Sequence, residues 1–501
     1  MKHIASFAVI SLVALFAMNV SAQKTSDSPV LYHVPGDPTV SIRIWIKVGA
    51  QHDPPGKEGL AQLTASLVAE GATSVNPYET ILAKLYPLAA SYSASCDKEM
   101  TVLSGRTHKD NLDAFVPLFL DALMRPAFTD EDFTRVRNDQ LAFIEKSLRY
   151  SSDEELGKAT LYDFLFAGTP YGHLNAGTVV SLKGLKAADA RAFYREHYTR
   201  GNVVVGLGGG YDEALAVRLR KEISMLPRGK TVTPARSIPA AFDGFQVRMV
   251  EKTCDATAIS IGFPIDVRRG DADFYALDVF RSWFGEHRNS SSHLYQVIRE
   301  ARGMNYGDYA YIETFPNGGA LQLPRPNTAR RSQIFEMWIR PVPHAQRHFA
   351  LRAALRELKN ILDNGMTADQ FELTRAFLAK YALQYAKTTS ERLGMAIDSR
   401  FYGIDGEYID VYRKKLAALT RDQVNAALRK HIQYRNMKIA VVTQDAGVFA
   451  NMLAEDVSSP VTYATPKPAS VIEEDKEIAV FPLRIRKENI EILPVDDMFA
   501  K

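Results

Sequence analysis

Cysteine is scarce in this chain, and long apolar runs are missing beyond its first residues. Only Cys96 and Cys254 occur among 501 residues, too few for a zinc cluster or a disulfide framework. An oxidising compartment would permit one bridge between them. Because the two lie in different halves of the chain, we expect two free, buried thiols. After the N-terminus no segment approaches the roughly 20 apolar residues of a spanning helix.

A concentrated basic charge is also missing. The formal net charge is only +3, with Lys and Arg scattered among Asp and Glu. Nucleic-acid binding needs a basic patch, so no nucleic-acid partner is expected. Hydrophobic residues make up 46% and charged residues 24% of the chain, which is typical of globular proteins. The length predicts two to four domains.

Residues 1–22 have the pattern of a cleaved secretory signal. Lys2 supplies a basic start, residues 4–18 are almost wholly apolar, and Val20-Ser21-Ala22 offers small residues for cleavage. An apolar stretch of about 15 residues is shorter than a membrane span. We therefore expect cleavage near Ala22, no membrane anchor after it, and a periplasmic or secreted mature protein.

The chain contains an internal repeat. One match is between residues 128–133 and residues 366–371, each of which opens a long helical stretch. The other match is a set of five single residues, given below. Two such matches indicate a tandem duplication with halves of roughly 210 residues, which fits the usual size of a domain. Five residues of the first half recur 234 positions later (182 to 416 is one interval): Leu182 and Leu416, Leu185 and Leu419, Arg195 and Arg429, His197 and His431, Asn202 and Asn436.

Each half combines strands and helices in the same order. Alternating apolar residues at 40–46 predict a strand, with its counterpart in residues 245–261, and long amphipathic helices follow. Strands and helices without strict alternation predict an α+β fold of two tandem α/β sandwiches with antiparallel-rich sheets. The predicted organisation is a signal (1–22), a first domain (23–226), a Pro-containing linker (227–244), a second domain (245–454) and a C-terminal extension (455–501).

The extension has its own composition. It carries a mostly acidic cluster at 473–477 and a run at 478–481 that we interpret as a strand. Two interpretations stay open for it: a floppy terminus, or an extended arm that packs on a neighbouring subunit.

Three segments of the two halves are distinctive: Gly49–Ala61 (GAQHDPPGKEGLA), Pro170-Tyr171-Gly172 with Gly177-Thr178, and Val297–Tyr306 (VIREARGMNY). With these segments, duplicated α+β halves of this size resemble the insulinase/pitrilysin metallopeptidases over about residues 30–450. In that family the Gly-Leu-Ala stretch leads into an inverted zinc motif, H-x-x-E-H, on a helix. The resemblance would imply two His ligands to zinc, a Glu that activates water, and a further Glu ligand.

The zinc motif is degenerate in this sequence. By alignment Gln62 and Ser66 stand where the family has its two His, and Ala65 stands where it has the basic Glu. An amide and a hydroxyl are poor substitutes for the imidazole, thiolate and carboxylate that zinc prefers. Glu145 aligns with the distal Glu ligand, but one carboxylate is not expected to hold a metal. We therefore expect no metal or other cofactor on this chain.

Other histidines are weak candidates for ligands. His344 and His348 are spaced i, i+4, but Arg347 stands where a base is needed. We interpret both as surface or capping residues. His52, in the loop before the degenerate helix, is expected to be solvated.

Arg299 and Tyr306 match an arginine–tyrosine pair that the family places opposite the zinc. The resemblance implies that these side chains donate hydrogen bonds to substrate carbonyls and to the oxyanion. In two-subunit members each zinc site receives this pair from another chain. We therefore expect a non-catalytic subunit, inactive alone. Its partner would be a homologous chain with an intact H-x-x-E-H and bound zinc, and the heterodimer would enclose unfolded peptides. A structural or peptide-binding protein without hydrolysis, and an autonomous hydrolase with an unrecognised site, remain as alternatives.

Overall fold

The structure is a computed structural model that describes residues 28–315, 321 and 324–501. The expected signal peptide and its cleavage site lie outside the described residues. The strands are β1 (Val30–His33), β2 (Thr39–Ile46), β3 (Ser91–Cys96), β4 (Thr101–His108), β5 (Val203–Gly209), β6 (Phe245–Glu251), β7 (Thr257–Ile265), β8 (Asp308–Tyr311), β9 (Gln333–Val342), β10 (Met437–Thr443) and β11 (Ile490–Pro494).

Helices connect and cover these strands. Two further segments, Phe143–Ser151 and Tyr295–Glu300, are π-helical. The α-helices are α1 (Leu60–Glu70), α2 (Tyr78–Leu85), α3 (Leu112–Met124), α4 (Asp130–Ala142), α5 (Asp153–Phe166), α6 (Val179–Gly184), α7 (Ala187–His197), α8 (Glu213–Ile223), α9 (Ala272–Gly285), α10 (Arg347–Asn364), α11 (Ala368–Tyr381), α12 (Thr389–Tyr402), α13 (Tyr408–Ala418), α14 (Arg421–His431), α15 (Ala446–Ala454) and α16 (Ala469–Ala479).

The strands form two sheets with the same topology. The first sheet has the order β1-β5-β2-β4-β3, and the second has β11-β6-β10-β7-β9-β8. One pair of neighbouring strands is parallel in each sheet: β1 with β5 in the first, and β6 with β10 in the second. The pairs that follow in the order, from β5-β2 and from β10-β7 onward, are antiparallel. The second sheet differs only by β11, which adds a parallel strand at the edge of β6. The duplicated α+β fold expected from the sequence is confirmed.

The apolar alternation of β2 has the expected consequence. Val40, Ile42, Ile44 and Ile46 are fully buried and belong to the core of the first half. The region 245–261, expected to be one strand pattern, holds two strands, β6 and β7. These are the counterparts of β1 and β2.

The two halves exchange a helix. Helix α5 comes from the first half but packs on β7 and β10 of the second sheet, whereas α12 comes from the second half and packs on β1 and β5. Glycines in the strands allow this close approach. A Cβ on Gly262 would lie 3.3 Å from Leu161 of α5, and one on Gly208 would lie 3.3 Å from Leu393 of α12.

Helix starts follow the repeat. Thr129 accepts a hydrogen bond from the backbone N–H of Asp132 at the start of α4, and Thr367 caps α11 in the same way through Gln370. Such caps satisfy backbone donors that a helix leaves unpaired. Helix α3 runs without interruption through Pro117.

The C-terminal extension is not a floppy terminus, because it packs on its own chain. The backbone of Val179 donates to the carbonyl of Phe499, and Arg149 donates to the carbonyl of Met498. The expected strand at 478–481 is wrong: α16 runs to Ala479. The acidic residues and Ile478 form one amphipathic helix, with Ile478 fully buried.

Residues 227–243, which fill most of the predicted linker, contain no helix or strand. They are nevertheless hydrogen-bonded to the rest of the chain. The side chain of Asn202 accepts a hydrogen bond from the backbone N–H of Val232, and the side chain of Ser332 accepts one from that of Ser237. Among the described helices, none has both the length and the apolar composition to cross a membrane.

Candidate functional site

The degenerate zinc motif lies on α1, which is intact as a helix. Leu60, Leu63 and Leu67 are buried, and Gln62 and Ser66, four residues apart, are both half-buried on one face. The helix starts at Gly59, whose φ of 92° is left-handed. There a Cβ would lie 2.5 Å from the carbonyl oxygen of Ala176, so only glycine fits without strain.

Asp53 holds the start of this helix. Its carboxylate accepts hydrogen bonds from the backbone N–H groups of Gly59 and Ala61, each at 2.7 Å. Burial raises the pKa of Asp53 to about 7, although these two donors act in the opposite sense. The loop GAQHDPPGKEGLA therefore fixes the start of α1 through Asp53 and Gly59.

The residues at the motif do not fit zinc. Ala65 is 2% exposed and offers no donor atom. Glu145 lies on the π-helical segment after α4, where its carboxylate is 3.4 Å from the ammonium of Lys183. Within the described ranges, no three His, Cys, Asp or Glu side chains are grouped so that they could hold a metal ion. The structure thus preserves the scaffold of the site without its ligands.

A cavity of about 370 Å³ lies between the two halves beside the degenerate motif. Gln62 lines it from the first half, and Glu336 and Trp338 of β9 line it from the second. Its lining also includes Ser95, which is exposed, and Phe143, which is 39% exposed, so the cavity opens to solvent.

A charged turn closes one side of this cavity. Asp97, Lys98 and Glu99 join β3 to β4 and are 4%, 4% and 2% exposed. Asp97 accepts from the guanidinium of Arg330 at 3.0 Å, and Glu99 pairs with Arg331, so arginines of the second half neutralise carboxylates of the first. Burial lowers the pKa of Lys98 to about 7. Sequence reasoning missed this interface because a run of charges usually marks a solvated turn.

Glu336 is the least compensated charge in the cavity. It is fully buried in the middle of β9, and burial raises its pKa to about 8. Above the neighbouring Trp338 ring, the ammonium of Lys158 lies 3.4 Å from the ring centroid. The only sequence signal for this residue is a lone acid within the apolar run QIFEMWI, which marks a buried polar group for explanation.

Three expectations about titrating side chains need correction. His348 is buried, not a surface or capping residue, because its ring packs against Phe449 at 5.9 Å. His52 is half-buried rather than solvated: its Nδ1 lies 3.1 Å from the backbone of Gly49, and burial lowers its pKa to about 4. Cys96 and Cys254 are free thiols as expected, although each is only partly buried. His344 contacts Thr257 and the carbonyl oxygen of Cys254.

Arg299 and Tyr306 lie together in the second half, away from this cavity lining. The guanidinium carbon of Arg299 is 6.0 Å from the centroid of the Tyr306 ring, and Tyr306 is 78% exposed. The expected helix is a π-helical segment, which is followed by Gly303 with a φ of 72°. It lies between α9 and β8.

The turn that carries Tyr306 is firmly held. Asn305 donates to Asp308 at 2.8 Å and accepts from the backbone of Gly307. Arg302, whose side chain is 1% exposed, pairs with Glu474 and Asp475 of α16 at 2.7 and 2.8 Å. The acidic cluster of the C-terminal extension therefore fixes the segment between Arg299 and Tyr306, a role that the sequence alone did not indicate.

Comparisons with known proteins agree with this anatomy. Residues 30–167 match the family model "Insulinase (Peptidase family M16)", and residues 184–378 match "Peptidase M16 inactive domain". The chain therefore belongs to the insulinase family, M16, and it is a non-catalytic homologue in that family.

Individual relatives have low sequence identity to this chain but match it over most of its length. An uncharacterized zinc protease of Streptomyces coelicolor is 23% identical over 79% of this chain and 83% of its own length. A protein named non-peptidase homolog YmxG, from Helicobacter pylori, is 21% identical over 77% of this chain and 84% of its own. The crystal structure of a peptidase M16 inactive domain from Pseudomonas fluorescens superposes with a TM-score of 0.73 at 21% identity, covering 84% of this chain and 96% of that one. At that identity the last comparison supports the fold alone.

Proposed function

We propose that this chain is the non-catalytic subunit of an exported zinc metallopeptidase heterodimer. A homologous partner with an intact H-x-x-E-H holds the zinc. This chain supplies Arg299 and Tyr306 in trans to the partner's site and helps to enclose unfolded peptides. Gln62, Ala65 and Ser66 leave it without a zinc site of its own.

The observation that carries the proposal is the exposure of Tyr306 on a rigid turn. A large aromatic side chain that is 78% exposed, with a guanidinium beside it, has the composition typical of interface hot spots. The buried contacts of Asn305 and Arg302 hold the backbone that carries this pair, so the backbone needs little further ordering when a partner associates.

The chemistry suits a role beside a hydrolytic centre. A guanidinium and a phenol are both hydrogen-bond donors, and neither needs to change protonation to stabilise an oxyanion. Donors that are already oriented act most strongly where water is excluded. In the heterodimer the partner's surface supplies that exclusion.

Strand β3 supports the peptide-binding half of the proposal. Within the described residues β3 pairs only with β4, and its residues alternate between exposed and half-buried. An extended peptide can add to such an edge through main-chain hydrogen bonds.

The test is a peptidase assay on an unstructured peptide with three samples: this chain, a zinc-containing M16 partner from the same organism, and their mixture. We expect hydrolysis only in the mixture. Arg299→Ala and Tyr306→Phe should each lower kcat by roughly 10²-fold, the usual effect of removing one oxyanion donor. The rates are measured at partner concentrations at which gel filtration shows the heterodimer to be fully formed, because truncation of the pair also weakens association.

Matched controls are Tyr86→Phe and Arg421→Ala, whose side chains are 88% and 47% exposed elsewhere on the surface. These should leave the rate unchanged. Zinc-dependent cleavage by this chain alone would overturn the proposal, as would full activity of the Arg299→Ala mixture.

A second function is favoured by the same edge strand: an insulinase-fold protein that binds peptides without hydrolysis. It predicts that an unstructured peptide binds this chain alone and that binding is unaffected by Arg299→Ala. A mixture with no gain in peptidase activity would then select this function over the first.

A further inference from the structure

We propose that the cavity between the two halves binds a small organic cation, an ammonium or guanidinium group, through the carboxylate of Glu336. This site is separate from Arg299 and Tyr306, so the inference does not depend on the trans role proposed above.

Glu336 is placed to receive such a group. It is fully buried and lines the cavity from β9. Among the described residues, neither of its carboxylate oxygens accepts a hydrogen bond. The indole N–H of Trp338 is close enough to lower the pKa of Glu336, but it does not meet the geometry of a hydrogen bond. A buried carboxylate without a hydrogen-bond partner is unfavourable, so a ligand that supplies a donor would stabilise it.

The cations already present are committed elsewhere. Lys158 pairs with Glu155 at 2.7 Å and with Glu154 at 3.3 Å. Arg330 pairs with Asp97. Lys158 and Arg330 lower the pKa of Glu336 through their charge, but among the described residues neither hydrogen-bonds to its carboxylate, which leaves the carboxylate oxygens for a ligand cation.

The walls suit an organic cation rather than a bare metal ion. Trp338, Phe315 and Tyr162 line the cavity. Lys158 already lies over the Trp338 ring and Arg330 over the Tyr162 ring, so the Phe315 ring is the aromatic surface of these three that would meet a ligand's ammonium or guanidinium group. No cluster of three metal-binding side chains occurs in the described parts of the chain. A volume of about 370 Å³ lies near the lower end of ordinary small-molecule pockets, and it accommodates an alkylamine with its chain.

Binding must depend on pH. Burial raises the pKa of Glu336 to about 8, so near pH 7 the empty site is mostly protonated. A bound cation favours the carboxylate, so binding releases a proton and the affinity should rise ~50-fold between pH 6 and pH 8.

Several other groups face Glu336 or the same cavity. Lys158, Glu155 and Tyr162 approach from α5, Tyr311 from β8, and Arg330 from the segment before β9. Burial lowers the pKa of Lys98, in the same cavity, to about 7. Because its ammonium repels a cation, loss of its proton as the pH rises also increases the affinity for the ligand.

The experiment is calorimetric titration of the full chain with n-butylamine and with n-butanol, its neutral match, at pH 6 and pH 8. We expect butylammonium to bind at least ~10-fold more tightly than butanol at pH 8, with close to one proton released at pH 7. Glu336→Gln should abolish this preference, whereas Glu196→Gln, at an exposed position, should keep it. Nα-acetyl-lysine methylamide and arginine methyl ester then distinguish a peptide side chain from a free amine as the source of the cation.

Equal affinity for butylamine and butanol, or no binding of butylamine at pH 8, overturns the proposal. So does a preference that survives in Glu336→Gln, where Lys98 is unchanged. The comparison of the two ligands and the proton release use the unaltered chain, so the test stands even if Glu336→Gln fails to fold.

Discussion

The exchanged helices predict that the two halves unfold together. Leu161 of α5 and Leu393 of α12 are fully buried, and each packs on the sheet of the opposite half. Replacing Leu161 by Ala removes three carbon atoms, which is ~2.4 kcal/mol of burial at ~0.8 kcal/mol each. The void adds about 1–2 kcal/mol, giving a loss of about 3–4 kcal/mol in the free energy of unfolding. Leu393→Ala should cost about the same, since Leu393 is also fully buried and also packs on a strand glycine of the opposite half.

Urea unfolding followed by circular dichroism measures this loss, and hydrogen exchange with mass spectrometry locates it. Leu161→Ala should reduce protection in β5 of the first sheet as well as in β7 of the second, and Leu393→Ala should do the same. Leu373→Ala is the matched control, because Leu373 is 74% exposed and its truncation should change stability by no more than ~0.5 kcal/mol. Protection lost from only one sheet would refute the idea that exchange of α5 and α12 makes the halves cooperative.

Two further predictions concern the C-terminal extension and the buried histidines. Asp475→Ala leaves the guanidinium of Arg302 short of a partner in a buried position and should cost ~3 kcal/mol; limited proteolysis near residues 303–307 should accelerate. Lys476→Ala, in an exposed pair with Glu473, should change neither, and unchanged proteolysis in Asp475→Ala would contradict the anchoring role of α16. For the histidines, burial lowers the pKa of His348 to about 4, below its value in the unfolded chain. Unfolding therefore takes up a proton between about pH 4 and 6.5, and the free energy of unfolding falls as the pH falls through that range. His348→Leu should reduce this slope by up to ~1.4 kcal/mol per pH unit, as measured by urea unfolding at pH 5.0 and 7.5, while the exposed His108→Leu should not; an unchanged slope would show that His348 is not held neutral.

Much of the fold could be predicted from the sequence, because the signals are local and repeated. The 234-residue interval of Leu182, Arg195 and Asn202 marked the duplication, and the alternation at residues 40–46 marked β2. The segment Gly49–Ala61 identified the family and located α1, and the identities of Gln62, Ala65 and Ser66 already removed the zinc ligands. Such conclusions need only residue types, spacing and side-chain chemistry.

Local patterns misled where long-range packing decides. The run at 478–481 has a strand's composition, yet its first residues complete α16 because Ile478 is buried against the second core while the acidic residues meet Arg302 and Arg356. The i, i+4 spacing of His344 and His348 did not reveal that His348 is buried. Burial depends on what α10 packs against, which is distant in sequence.

Sequence by itself determined the repeat, the family and the loss of the zinc ligands. Only the tertiary structure decided that the halves exchange α5 and α12, that the extension anchors the Arg299–Tyr306 segment, and that Asp97, Arg330 and Glu336 meet around one cavity. The physical reason is that these features pair residues about 100 or more positions apart, such as Leu161 with Gly262. The sequence does not show whether a charged residue will face water or an opposite charge once the chain folds.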